Sequence, residues 1–557
     1  TDAGDGIVGV ITQRQKTFDV AEKNSVDVAI AGQDLADIEK EVVALTDFDA
    51  WGYLGLSRIK KLISKLSAVD GGQLHIFFLD DDEERNIRNI MNLAKDSTIL
   101  SIALDENVSH RISCHARYNG PNRVIQDVAL CKNLNIKIID SSHLAVERLK
   151  ILREFHPIHV ANVNNNKPVT VEGPFNALII GFGEVGRDAF RFLYEFGAFV
   201  DSDVTDTKAH RSPFVCKIVD KNLEAIEGPF KAMMPGIFEG ENKHNFTFYP
   251  VDVNHVKFFN EVLNKDTVKN LNYVIISIGD NDEAISLAAR IFSRFRQYGG
   301  DMKKLRILVR CTDDAKVEAV QKIADHYNYG YGNGKDNTPV IRIFGQPEET
   351  YTYDLVISNH LVEAGKEFHE NYRILKGENE TWDQRHKRYT EPGVPNIDKL
   401  RTLRRKESQD LANAMHVGTK IEFLRRAMPV DFDWFGFMVR YFKSDGRPNS
   451  DGRKADICYP DLTEYENMVV KRLAMLEHLR WNAAHELLGY VPNDEEASCN
   501  ETTLKHNCLT DWEYLDDQSK KTEETEWPCD YKSYDFAVAD TTIHMSKDEL
   551  MFIFDPK

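Results

Sequence analysis

The sequence predicts an α/β protein built from two tandem doubly wound parallel-sheet units followed by a small, mainly helical C-terminal domain. Three observations carry this. Short apolar runs alternate with helical patterns up to about residue 375, the same order of runs and acidic turns occurs twice, and beyond it the pattern becomes charged and helical. At 557 residues the chain is too long for one core, and 42% hydrophobic with 29% charged residues suits several globular ones.

The first unit spans residues 1–165. "AGDGIVGV" and "VDVAIAGQDLADIEKEV" contain strand-like pieces, but neither supplies a GxGxxG followed by a helix, so this copy is expected to have lost dinucleotide binding and to persist as a packing or dimerising partner. "QLHIFFLDDDEERNIRNIMNLAKD" reads as strand, acidic turn and helix; "STILSIALDENVSHRI" and "NIKIIDSSHLAVERL" supply two more strands. The second unit, 170–375, repeats the series as "NYVIISIGDNDEAISLAARIFSRF", "KLRILVRCTDDAKVEAV" and "VIRIFGQPEETYTYDL".

The second unit has the better start. "FNALII" from Phe175 is a strand, "GFGEVG" follows at once, and "RDAFRFLYEFG" carries Phe190, Leu193, Tyr194 and Phe196 at helical spacing. That context makes the glycines a Rossmann-like fingerprint. Gly181 permits the tight turn, Gly183 lets a pyrophosphate approach the backbone, Gly186 lets helix and strand pack closely, and the phosphates rest on the helix N-terminus. A ribose-binding acid is expected at the end of the second strand; Asp220 fits if 201–212 is an insertion, with Asp201 or Asp203 as the alternative. Arg310, at another strand end, either reaches a phosphate or is structural.

"IIGFGEVG", "VIISIGDNDEAISLA" and "HIFFLDDDEERNI" resemble the regulator-of-potassium-conductance domains of cation channels and potassium-uptake systems, over roughly residues 20–360. The resemblance implies binding of NAD(H), ATP or a related adenine nucleotide by a homodimer or higher homo-oligomer that passes occupancy to a cation channel or transporter. It places Gly181, Gly183 and Gly186 at the phosphates and Gly279 with Asp280 near the nucleoside.

Residues 376–460 read as a helical connector interrupted by Pro392 and Pro395. Its basic cluster of Arg401, Arg404, Arg405 and Lys406 is expected to form intramolecular salt bridges, with a phosphate-binding patch as the alternative. In the last domain, 461–557, a long helix ends at Gly489 and carries Glu477, His478, Trp481 and His485 at helical spacing. They form either a satisfied polar layer, with Glu477 paired to a base, or a pocket that stacks on an aromatic ligand. "LEHLRWNAAHELLGY", "HNCLTDWEYLD" and "DYKSYDFAVADTTI" resemble the repeat domain first named from ryanodine receptors (RyR), matching at Glu477, His478, Trp481, Gly489, Leu509, Trp512, Leu515, Tyr531, Tyr534 and Asp535. The inserted "DDQSKKTEETEWPC" departs from that family's loop, and nucleotide binding is what the resemblance implies.

Composition excludes several functions. A net charge of −19, from 89 acids and 70 bases, is opposite to a nucleic-acid footprint. The 8 cysteines contain no CxxC pair, which argues against a zinc site or disulfide framework, with Cys499, His506 and Cys508 as the one local cluster. No run approaches the roughly 18 apolar residues of a membrane helix, so the chain is expected to be cytoplasmic, with membrane association only through a partner or an upstream segment. Hydrolase, metalloprotease and phosphotransfer motifs do not occur. The expectation is a nucleotide-sensing regulator rather than an enzyme. The alternatives are an NAD-dependent oxidoreductase, with His360 as the nearest proton-transfer candidate, and a stress or antiviral-defence sensor reading a nucleotide through the C-terminal domain.

Overall fold

The computed structural model describes residues 6–12, 41–44, 64, 72–78, 83–88, 112–118 and 135–554, except 165, 206, 239–243, 330–338, 357–359, 391–396, 428–431, 444–458, 494–498 and 526–529. The chain divides into two units, Thr1–Leu144 with Tyr351–Ser358, and Ala145–Thr350 with Asn359–Lys557.

The first unit holds a five-stranded sheet of β1 (Gly6–Thr12), β2 (Glu41–Ala44), β3 (Gly72–Phe78), β4 (Ile112–Arg117) and β5 (Asn135–Ile139), in the order β2-β1-β3-β4-β5. Every pair is parallel. Parallel sheets are covered on both faces. Successive residues of β4, Ile112 to Ala116, are accordingly all buried. Among the described residues the strand that pairs with β3 on this side is Ile112–Arg117; the "STILSIAL" run lies outside the described residues. His115 looks too polar for a central strand, yet its Nε2 meets Nδ1 of His75 on β3 at 3.1 Å, which lets both imidazoles be buried.

The second unit contains β6 (Phe175–Ile180), β7 (Phe214–Val219), β8 (Asn245–Tyr249), β9 (Tyr273–Ile276), β10 (Arg306–Arg310) and β11 (Ile341–Phe344), all parallel, in the order β11-β10-β9-β6-β7-β8. Counted from its own first strand this is 6-5-4-1-2-3, the doubly wound order whose direction reverses between β6 and β9. The first sheet has the same order without a counterpart of β8 among the described residues, so the tandem repeat read from the sequence is present in the topology. β6 shows the period-two logic directly: Ala177 and Ile179 face one core, Leu178 and Ile180 the other.

The helices α1 (Glu184–Phe196) and α2 (Leu223–Ala232) follow β6 and β7. On the opposite face, α3 (Asn281–Gln297) and α4 (Asp314–Asn328) follow β9 and β10. α1 is buried nearly all round, because a second layer lies over it: the helical region packs in the same unit as this sheet. That region comprises α5 (His360–Lys376), α6 (Trp382–Thr390), α7 (Ile397–Ala427), α8 (Trp434–Lys443), α9 (Glu464–Leu487), α10 (Leu515–Thr525), α11 (Lys532–Met545) and α12 (Lys547–Phe554).

α9 is its axis. A capping box starts it, with Thr463 Oγ1 accepting from the Glu466 N–H at 3.3 Å and Glu466 accepting from the Thr463 N–H at 2.8 Å. Gly489 stops it at φ +91°, where a Cβ would lie 2.9 Å from the Met233 carbonyl oxygen. Between these ends α9 packs against both α1 and α11, which explains why polar Glu477, His478 and Arg480 are buried along with Val469, Leu473 and Leu476. No helix among the described residues is long and apolar enough to cross a membrane.

Candidate functional site

The glycine loop sits at the carboxyl end of β6, beside the strand-order reversal where open α/β sheets bind ligands. Each glycine has its own steric reason. Gly181 has φ +87° and a Cβ there would stand 2.8 Å from the Ser277 carbonyl carbon. A Cβ on Gly186 would stand 2.0 Å from the Gly181 carbonyl oxygen, so only glycine lets α1 pack this close to the turn. Gly183 is different. It is the N-cap of α1, no side chain caps that end, and a Cβ on it would meet nothing within 4 Å. The space over the helix N-terminus is therefore open to an anion.

The neighbouring strand ends complete the edge. Asp220 Oδ2 accepts from the Phe182 N–H at 2.7 Å and Oδ1 accepts from the Asn222 N–H at 2.7 Å, so this carboxylate braces the glycine loop. Asp220 directly follows β7, whereas Asp201 and Asp203 lie in the preceding loop, where Asp201 bridges to Val171. Ser277, which the sequence reading passed over, ties β9 to the loop by donating its Oγ–H to the Gly181 carbonyl at 2.8 Å. Gly279 has open space around it. Asp280 caps α3, accepting from the Asp282 and Glu283 N–H groups at 2.9 and 3.1 Å, and these bonds hold its carboxyl below the usual range. Arg310 ends β10, with β9 between it and the glycine strand, and its side chain lies against Gly345.

α1 joins this loop to a second polar centre. Its last turn presents Glu195, which accepts from Arg480 of α9 at 2.8 Å. Arg480 is fully buried and also donates to Glu477 at 2.7 Å, Asn413 at 2.8 Å and Gln409 at 3.0 Å. Lys420 of α7 adds a 2.8 Å bond to Glu477. Burial works to raise the Glu477 pKa, but Arg480 and Lys420 outweigh it and hold the carboxyl at about 2. One residue away on α1, Tyr194 donates to Glu486 at 2.7 Å, with the Arg211 guanidinium 3.9 Å over its ring.

Glu477 forms part of the wall of a cavity of about 350 Å³ lined by residues of α5, α6, α7, α9, α10 and α11. The RyR-type candidates converge on it: Glu477, His478, Trp481 and Tyr531 line it, and His485 lies behind Trp481 with ring centroids 3.7 Å apart. His478 Nε2 meets the Thr510 carbonyl at 2.8 Å, and its other nitrogen faces Asp535 at 3.3 Å; burial disfavours its charge, but Asp535 outweighs this and its pKa is raised. A carbonyl only accepts, so the 2.8 Å contact puts a proton on Nε2. His485 takes the opposite course, since burial and His506 hold its pKa well below the ordinary imidazole range.

No protein-family model matches the chain, and no curated protein matches it. Among solved structures the chain is similar to a crystal structure of a GsuK point mutant, at 11% identity and a TM-score of 0.28, over 62% of this chain and 66% of that one, just under two thirds of its length. The fold is read from the sheet order itself.

The cavity is also lined by His369 and Tyr372 of α5 and by Arg385, Arg405, Lys406, Gln409 and Asp410 of the connector; Arg405 and Lys406 belong to the basic cluster singled out in the sequence, and the others do not. Arg405 pairs with Glu501 at 2.7 Å, as the expectation of intramolecular salt bridging requires, while the side chains of Arg401 and Arg404 lie outside the described residues. His360 opens α5, and its side chain is likewise outside them. Cys499 donates to Glu501 and His506 accepts from the Cys508 N–H, and no group of three metal-ligating side chains occurs among the described residues.

Proposed function

We propose that this protein is a nucleotide-sensing regulator: the second Rossmann-like unit binds NAD(H) or an adenine nucleotide at Gly181, Gly183 and Gly186, and the helical region reads that occupancy. The observation that carries this reading is α1, a single helix about 20 Å long at 1.5 Å per residue that begins at the glycine loop and ends in the buried Glu195–Arg480 pair. A phosphate on its N-terminus acts on the same rigid element that the helical region grips at its other end. A ligand regulates only through different affinities for two arrangements, and a packed helix is a direct means of linking them. In this reading the protein assembles as a homodimer or higher homo-oligomer and its output is a cation channel or transporter.

The test is calorimetry of NAD, NADH, ATP, ADP and ADP-ribose on the full chain and on Gly183→Asp, with amide hydrogen exchange followed in α9. Binding without turnover, lost in Gly183→Asp and accompanied by changed exchange in α9, is the expected result. Binding that leaves α9 unchanged removes the sensing role, and turnover of the ligand favours an oxidoreductase.

A further inference from the structure

We propose that the cavity between helices α5–α7 and the C-terminal helices α9 and α11 is a second ligand site, and that it takes a nucleoside monophosphate. The site is distinct from the glycine loop, and its argument does not depend on nucleotide binding there.

The cavity, at about 350 Å³, falls in the range of small-molecule pockets, roughly 300–1,000 Å³. Its two walls differ in chemistry. The α9–α11 side offers aromatic faces: Trp481 is backed by His485 and met edge-on by His506 at 4.8 Å, with Tyr531 and Tyr534 beyond. Backing of this kind fixes a ring plane before a ligand arrives, and a planar heterocycle stacks on it. The same side places the carboxylates of Glu477 and Asp535 at the cavity, acceptors for the amino and ring N–H groups of a base. Glu477 is held rigidly by Lys420 and Arg480, so it remains an oriented acceptor.

The other side sets cations among carboxylates: Glu378 and Asp410 line it too, Arg385 is paired with Asp410 and Arg405 with Glu501, which leaves Lys406 as its unpaired cation among the described residues. Arg385 is buried, and its Nε has no hydrogen-bond partner among the described residues. A polar N–H left unsatisfied in the interior is costly, and an anion in the cavity supplies an acceptor. An aromatic face, base-directed carboxylates and phosphate-directed cations across one cavity together match a nucleoside monophosphate, whereas a bare phosphate leaves the aromatic wall unused and a bare nucleoside leaves the cations unused.

The experiment uses the full chain carrying Gly183→Asp, which blocks the glycine loop and leaves the cavity intact. AMP, GMP, CMP, UMP, the parent nucleosides and inorganic phosphate are titrated by calorimetry. The expected result is one-to-one binding of at least one monophosphate, at least tenfold weaker for its nucleoside, and at least tenfold weaker in Lys406→Glu and in Trp481→Leu. Lys406 is partly exposed, so its variant keeps the fold, and an unchanged melting temperature verifies this. The proposal is overturned if no monophosphate binds at 1 mM, a concentration chosen to detect affinities of about −4 kcal/mol, or if binding persists in both cavity variants. Binding to wild type that vanishes in Gly183→Asp also overturns it, while leaving the glycine-loop reading in place.

Discussion

Arg480 donates to Glu195 across 2.8 Å, and the two residues are 285 positions apart in the chain. This bond pins the end of the glycine-loop helix to the axis of the helical region within a buried polar cluster that also holds Glu477, Asn413, Gln409 and Lys420. Removing one member of a buried ion cluster leaves the others desolvated and uncompensated, a loss of about 3–5 kcal/mol. Arg480→Met is therefore expected to lower the urea unfolding free energy by that amount. Glu195→Gln keeps an acceptor and is expected to cost about 1–3 kcal/mol. The double variant should show a coupling energy above about 0.5 kcal/mol; strict additivity would mean the pair does not join the layers.

The three loop glycines separate structure from binding. Gly186→Ala drives a Cβ to 2.0 Å from the Gly181 carbonyl oxygen and Gly181→Ala one to 2.8 Å from Ser277, so both are expected to lower the melting temperature sharply. Gly183→Ala has open space and a negative φ, and its stability should stay within about 0.5 kcal/mol of wild type. Differential scanning calorimetry of the three variants ranks them, and a Gly183→Ala loss as large as that of Gly186→Ala would contradict the loop geometry.

Buried imidazoles give the protein an acid limit. Burial holds His156, His159 and His506 at about 3 and His244 at about 2. Unfolded imidazoles titrate near 6.5. Below that pH the unfolded chain binds protons that the folded chain refuses, so stability falls as pH falls, by up to about 1.4 kcal/mol per pH unit for each group. Urea midpoints measured from pH 7 to pH 5 should decline, and His244→Leu should flatten the slope by one group's share. Equal midpoints at the two ends would show that these imidazoles are solvated.

Asp540 of α11 works in the opposite sense. Burial pushes its carboxyl up to about 7, against the stabilising hydroxyls of Tyr441 and Tyr459, both of which donate to Oδ1. The folded chain keeps a proton that the unfolded chain releases near pH 4, so this residue's contribution declines as pH rises from about 4 to about 7 and is level above. Asp540→Asn carries no titratable proton. Relative to wild type it should be more stable at pH 8 than at pH 5, by on the order of a few kcal/mol, and a difference independent of pH would count against a raised carboxyl.

Local pattern made much of this legible. The alternation of apolar runs and helical spacing located β6, β9, β10 and β11, and the glycine spacing located the loop, because these depend on neighbours in the chain. Glu477, Trp481 and His485 recur every four residues on α9, so their convergence on one side could be read as well. The strand Ile112–Arg117 could not, because a histidine and an arginine mask its burial and the partner that permits it, His75, is 40 residues away. The same reason hid His369, Tyr372, Arg385 and Asp410 at the cavity, and the choice of Arg480 as the bridge. Which cation neutralises a buried carboxylate is decided by packing between distant segments, and periodicity carries no record of it.

The first unit takes its final segment, Tyr351–Ser358, from beyond β11. On the ribosome the N-terminal part therefore emerges well before the piece that completes it, and the whole second sheet is synthesised in between. At about 5–20 residues per second the wait lasts on the order of ten seconds or more, during which a parallel sheet of apolar strands stands without its last stretch of chain. Birth order and assembly order differ in this molecule.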